Sequence, residues 1–200
     1  MARPKVHDDA LRVRLLDVAG RVLTSEGPDA LSLRRLARDA HTSTTAVYSL
    51  FGGKPGVLRA LFVEAFTRFG AHLDAVVPSD DPLADIRALG RAYRASAVAD
   101  PHLYTVMFGS PVPGFEPAEQ DWAHAKSTFT PLVDAVRRGV AAGLLRDANP
   151  ATIATALWAN VHGLVSLELG NAIPPQAGAP AQVFEAAVRA TLDGWRTGPR

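Results

Sequence analysis

The residues with the most pointed chemistry lie between positions 31 and 54. Thr44, Thr45 and Tyr48 set hydroxyl and methyl groups along one side of a short helical stretch. A threonine methyl can meet a thymine methyl, its hydroxyl can meet a base edge, and a tyrosine hydroxyl can reach base or phosphate. Arg34 stands shortly before them and Lys54 shortly after, where a lysine opening a helix adds its charge to the phosphate-binding N–H groups. Bond-making chemistry finds no comparable cluster. The six histidines are scattered, without a His-Glu-x-x-His pair, a Glu-x-x-His pair or a Gly-x-Ser-x-Gly elbow. Glu116, Glu119 and Asp121 read as the acidic first turn of a helix. The chain is expected to be no enzyme and to need no cofactor or metal.

Two short helices must position these groups. Ser32 can cap the first, and Leu33, Leu36, Ala37 and Ala40 then follow the i, i+3, i+4, i+7 spacing of one buried face. That leaves Arg34, Arg35 and Arg38 on the other side, the last two expected to be solvated or ion-paired. Ser43 can cap the second helix, with Val47 and Phe51 inward and Thr44, Thr45 and Tyr48 outward. Two short helices joined by so short a turn form a helix-turn-helix, whose second helix enters the DNA major groove.

Composition agrees with a DNA-binding head on a larger body. The chain has 200 residues, 48% of them hydrophobic, enough for a sizeable core. The net charge of +1 hides an asymmetry, +4 over residues 1–60 and −3 over residues 61–200. There is no cysteine, so disulfides and thiolate metal sites are excluded. The first residues lack the apolar run of a signal peptide, and no apolar stretch reaches membrane-spanning length. A cytoplasmic protein with no membrane partner is expected.

The pattern predicts an all-α chain. A first helix opens at Asp8 and Asp9 and ends at Gly27-Pro28. After the motif, a long apolar face through Leu58, Leu61, Phe62, Ala65, Phe66, Phe69 and Leu73 predicts a helix from Pro55 to about Val77. Further helices are expected over about 82–99, from Asp100-Pro101 to Gly109, over about 118–145, over 150–170 and over 181–195. Pro131 must kink or divide the 118–145 segment. This predicts a helix-turn-helix DNA-binding domain at 1–54, a connecting helix at 55–77 and a helical body at 78–200.

The run Val47-Tyr48-Ser49-Leu50-Phe51, followed by Gly-Gly-Lys54-Pro-Gly-Val-Leu58, resembles the end of the DNA-binding domain in the tetracycline-repressor (TetR) family. Trp158, His162 and Gly163, followed by Leu164 to Leu169, are similar to the Trp-His-Gly (WHG) group of TetR-type C-terminal domains. The family usually has Gly in the helix-turn-helix turn where this chain has His41. The turn needs a left-handed backbone, and His is among the few other residues enriched there. The resemblance implies a DNA-binding set of Ser32, Arg34, Ser43, Thr44, Thr45, Tyr48 and Lys54, with Arg3 and Lys5 as a possible arm along the DNA backbone. It implies that the body encloses a small-molecule pocket, for which Tyr93, Tyr104, Met107, Phe108, Trp122, Phe129, Trp158 and His162 are the candidate lining. The last two long helices could bury their apolar faces within one chain or against a second copy, and the resemblance favours a homodimer built on them. Leu157, Val161, Val165, Phe184, Val188, Leu192 and Trp195 are the candidate interface. The expected partners are double-stranded operator DNA, a second copy and a small-molecule effector, and the expected function is that of a ligand-released repressor. A helical ligand-binding or interaction protein without DNA binding, and a DNA binder without sequence preference, are the alternatives.

Overall fold

The computed structural model describes residues 5–109, 112 and 115–198, with side chains from residue 9 onward. Arg3, and the side chain of Lys5, lie outside the described residues. Among the described residues ten α-helices follow in order: α1 Lys5–Glu26, α2 Leu33–Asp39, α3 Thr44–Phe51, α4 Lys54–Asp74, α5 Pro82–Ala99, α6 Pro101–Phe108, α7 Glu119–Ser127, α8 Thr130–Ala141, α9 Pro150–Leu169 and α10 Pro180–Trp195. Short 3-10 turns occupy Pro28–Ala30 and Pro175–Ala177. Among the described residues there is no strand, only an isolated bridge between Leu145 and Arg196.

Local rules set most helix ends. Asp100 accepts the Leu103 N–H and Asn149 the Ala151 N–H, each just before a proline in the first helical turn, where a missing N–H costs little. Pro131 divides the expected 118–145 segment in two. It lies in the first turn of α8, and α7 has already ended at Ser127. The second half also stops short of position 145, because Gly143 takes a left-handed φ of 68° just after α8. The helix after the motif ends at Asp74, three residues earlier than expected.

The chain forms two compact units. The first comprises residues up to Thr67 together with Asp100–Ala125; the second comprises Arg68–Ala99 and Lys126–Arg200. In the first, Leu15, Leu16, Ala19, Val22, Leu36, Val47, Val57 and Leu61 form a continuous buried core that also takes in Leu103 of α6, with Met107 packed against it. Helix α6 therefore belongs with the helix-turn-helix, and the Thr24 hydroxyl lies 2.6 Å from His102 Nδ1. Helix α7 is fastened to α4 through Asp121. This buried carboxylate accepts Arg59 Nε at 2.8 Å and Nη2 at 3.0 Å, and these bonds hold it below its ordinary pKa.

In the second unit, α5, α8, α9 and α10 pack around Leu83, Ile86, Leu89, Val136, Ile153, Leu157, Val161, Val165, Phe184, Val188 and Leu192. Two bidentate pairs bind α5 to its neighbours, Arg94 to Glu168 of α9 and Arg91 to Glu185 of α10. The Arg94 guanidinium also lies 5.6 Å from the Phe184 ring centroid. Asp85 anchors the loop before α5. It accepts the Ser79 N–H, the Ser79 hydroxyl at 2.7 Å and Arg138 Nη2 at 2.5 Å. Burial pushes the Asp85 pKa up, but the bonds from Arg138 and Ser79 outweigh it and the carboxyl sits below its ordinary value.

Packing within one chain already buries most of the residues expected at the dimer contact. Leu157, Val161, Val165, Phe184, Val188 and Leu192 are all buried inside one chain, and Trp195 is half-buried. The stripe on α10 marks burial, as expected, but its partners are α9 and α5 of the same chain. The outer faces of α9 and α10 carry other residues: Thr155, Ala159 and Leu167 on one, Ala186 and Ala190 on the other.

Candidate nucleic-acid interface

The helix-turn-helix is set by caps and one strained residue. Ser32 Oγ accepts the Arg35 N–H at 3.3 Å to start α2, and Ser43 Oγ accepts the Ala46 N–H at 3.1 Å to start α3. Between them the chain closes a Schellman turn: His41 N–H donates to Arg38 O at 3.1 Å and Thr42 N–H to Ala37 O at 2.8 Å. The residue after the C-cap must be left-handed in this motif, and it is His41, at φ 52°. Gly52 ends α3 with a left-handed φ of 71° and a single bond from its N–H to Tyr48 O, turning the chain into α4.

The cationic groups around the motif divide into committed and free ones. Arg35 is bidentate to Glu26 at 2.5 and 2.6 Å and reaches Asp39 at 3.2 Å, and these bonds raise its pKa and lower that of Glu26. Arg38 pairs with Asp39 at 2.9 Å. Arg14 Nε donates to Ala40 O at 3.1 Å, satisfying a carbonyl at the end of α2, and Arg12 stacks over Phe51 with 5.6 Å to the centroid. Arg34 is exposed, and no hydrogen bond or ion pair engages its guanidinium among the described residues.

Lys54 is engaged within the chain. It is half-buried, and its Nζ donates to Pro28 O at 2.7 Å, tying the start of α4 to the 3-10 turn after α1. An ammonium has three donors, so two remain for a phosphate.

On α3 the inner face is fixed by fully buried Val47, with Ala46, Leu50 and Phe51 half-buried. The outer face carries Thr44, Thr45, Tyr48 and Ser49, all exposed, with Tyr48 at 58%. Ser49 was not among the expected contacts. Its position four residues after Thr45 is the signal that places it on this face. Ser32 and Ser43 act as caps here. Both are exposed, but each side-chain oxygen already accepts a backbone N–H.

The eight residues expected to line one pocket fall into two groups. Tyr104, Met107, Phe108 and Trp122 belong to the first unit, where Phe62, Phe66 and Phe115 complete an aromatic cluster with ring centroids 5.0–6.1 Å apart. Tyr93, Phe129, Trp158 and His162 belong to the second. There Tyr93 Oη lies 2.9 Å from His162 Nδ1, Trp158 lies 5.7 Å from His162, and Phe129 lies 5.9 Å from Trp158. Phe69, read from sequence only as part of a connecting helix, stands edge-on to Tyr93 at 5.1 Å. Burial pushes the His162 pKa below its ordinary value, favouring the neutral imidazole. Three or more grouped metal-ligating side chains occur nowhere among the described residues, and no described helix is long and apolar enough to cross a membrane.

Comparison with known proteins agrees with this architecture. Residues 15–61 match the bacterial regulatory proteins of the tetR family, and residues 86–191 match the tetracyclin repressor-like C-terminal domain. The HTH-type transcriptional regulator Rv1816 of Mycobacterium tuberculosis is 27% identical over 213 residues, covering 90% of each chain. The structure of a protein of unknown function from Rhodococcus sp. RHA1 is 30% identical with a TM-score of 0.79, over 94% of this chain and 96% of that one. The SmeT–triclosan complex shares the fold at 22% identity and a TM-score of 0.69, over 94% of this chain and 92% of that one. The chain belongs to the tetR family of DNA-binding transcriptional regulators.

Proposed function

We propose that this protein is a homodimeric, cytoplasmic repressor that binds a two-fold symmetric operator and leaves it when a small molecule binds the body. One observation carries the DNA-binding part. The second helix of a helix-turn-helix presents Thr44, Thr45, Tyr48 and Ser49 outward, and Arg34 stays exposed beside it without an ion-pair partner among the described residues. These residues meet the major groove, and Arg34 and Lys54 contact phosphate or a base at its edge. The working division is a DNA-binding domain at 1–54, a connecting helix at 55–77 and a ligand-binding and dimerisation body at 78–200.

The two-fold contact is built on the outer faces of α9 and α10. Leu167, 47% exposed, is the large apolar side chain left outward on α9, and the exposed Ala159, Ala186 and Ala190 are small enough to allow close helix approach. For the effector, the capture of triclosan by SmeT supports a small apolar or aromatic compound. Tyr93 and His162 are the polar groups suited to orient it, with Phe129 and Trp158 as apolar wall. The Trp158, His162 and Gly163 likeness to the WHG group belongs to the same reading. The ligand acts through α4 by favouring a spacing of the two recognition helices other than the roughly 34–36 Å that adjacent half-sites present. Linkage then requires operator DNA to weaken ligand binding by the same factor.

The test is a gel shift on DNA flanking the protein's own coding region, with random DNA as competitor. Retention of the specific band under a large excess of competitor is expected. Equal displacement by random and specific DNA overturns the operator reading.

A further inference from the structure

The chemistry left exposed on α3 goes further than DNA binding in general. Residues 42–51 contain no Arg, Lys, Asn, Gln, Asp or Glu. The side chains that make bidentate contacts to guanine or adenine, or accept a bond from cytosine, are therefore missing from the recognition helix. Its outer face offers four hydroxyls, from Thr44, Thr45, Tyr48 and Ser49, and two methyls, from Thr44 and Thr45. A hydroxyl donates or accepts as the base requires, so it discriminates weakly. A methyl has one complement in the major groove, the 5-methyl of thymine.

Both threonines are open to solvent at the start of the helix, in the first two positions of α3 directly after Ser43. The cations nearby do not replace the missing readers: Arg12, Arg14, Arg35 and Arg38 are held by Phe51, Ala40 O, Glu26 and Asp39 respectively. Arg34, on α2, remains for a phosphate or a single guanine.

We propose that the operator half-site is read through thymine methyl groups packed against Thr44 and Thr45, so that thymine is the discriminating base under α3. This rests on the DNA-binding reading above and adds the chemical class of its target.

The test starts from DNA selected by the wild-type protein out of a random pool, then remade with deoxyuridine for thymidine, which removes only the methyls. Affinity is expected to fall about fourfold for each methyl pair lost, in proportion to the apolar surface no longer buried. In Thr44→Ser and Thr45→Ser chains, which keep the hydroxyls, each substitution is expected to remove its own share of that loss. Guanine contacts by Arg34 are untouched by the exchange. A selected site bound equally well with uracil overturns the proposal while leaving DNA binding intact. So does a uracil penalty that persists undiminished in the double serine variant, since that penalty would come from DNA shape. Failure to select any sequence defeats the DNA-binding reading itself.

Discussion

His41 shows how one residue absorbs a backbone demand that glycine usually meets. At φ 52° it closes the Schellman turn that aims α3, and a left-handed L-residue costs about 1–2 kcal/mol. Part of that is recovered in the unfolded chain, where glycine is freer, so His41→Gly is expected to raise stability by about 0.5 kcal/mol. A β-branched residue there is expected to lower it. Chemical denaturation of the two variants checks both signs. Tyr48 and Lys54 separate recognition from stability. Tyr48→Ala is expected to weaken operator binding and leave thermal unfolding nearly unchanged, because the side chain is 58% exposed. Lys54→Ala removes the bond to Pro28 O as well, so it is expected to cost about 1 kcal/mol of stability in addition to any loss of DNA affinity. A salt titration isolates its phosphate contribution, with the magnitude of the slope falling by about one counterion.

At the scale of elements, what sequence revealed and what it hid divide along one physical line. The caps Ser32 and Ser43, the Pro-initiated helices and the outward face of α3 follow from contacts within a few residues, and these were legible. The bond from Lys54 to Pro28, 26 residues away, was not, because nothing in the local pattern distinguishes a lysine facing water from one facing a carbonyl. Helix α6 was legible as a helix, but not as part of the head. Leu103 and Met107 would look the same whichever core they entered. The stripe through Phe184, Val188 and Leu192 announced burial without naming its partner. Asp85 is an element-scale device with a pH signature. Its folded pKa lies below the ordinary value of about 3.9, so its contribution is complete above that pH and is lost as pH falls through the folded value. Asp85→Asn is expected to lower stability at pH 7 and to flatten the decline below about pH 4, as read by denaturation across that range.

For the whole molecule, the packing separates residues that hold one chain together from those on which the proposed dimer is built. Val188→Glu puts a charge into a core where Val188 is 7% exposed, and it is expected to give misfolded or insoluble protein. Leu167→Glu, at a site 47% exposed, is expected to give folded monomers, with sedimentation and circular dichroism as the readouts. A wild-type-like dimer from that variant would move the interface elsewhere. The proposed repressor reads its operator with two heads at once, so the same monomers are expected to lose operator affinity although α3 is unchanged. The central claim is sequence-specific reading of DNA by α3, and footprinting on a selected operator tests it most directly, with wild type and Tyr48→Ala compared at one salt concentration. The wild type is expected to protect two symmetric half-sites about one helical turn apart, or a multiple of it, with Tyr48→Ala needing far more protein for the same protection. Protection that spreads evenly along the DNA, or that is identical for the two proteins, would contradict the account.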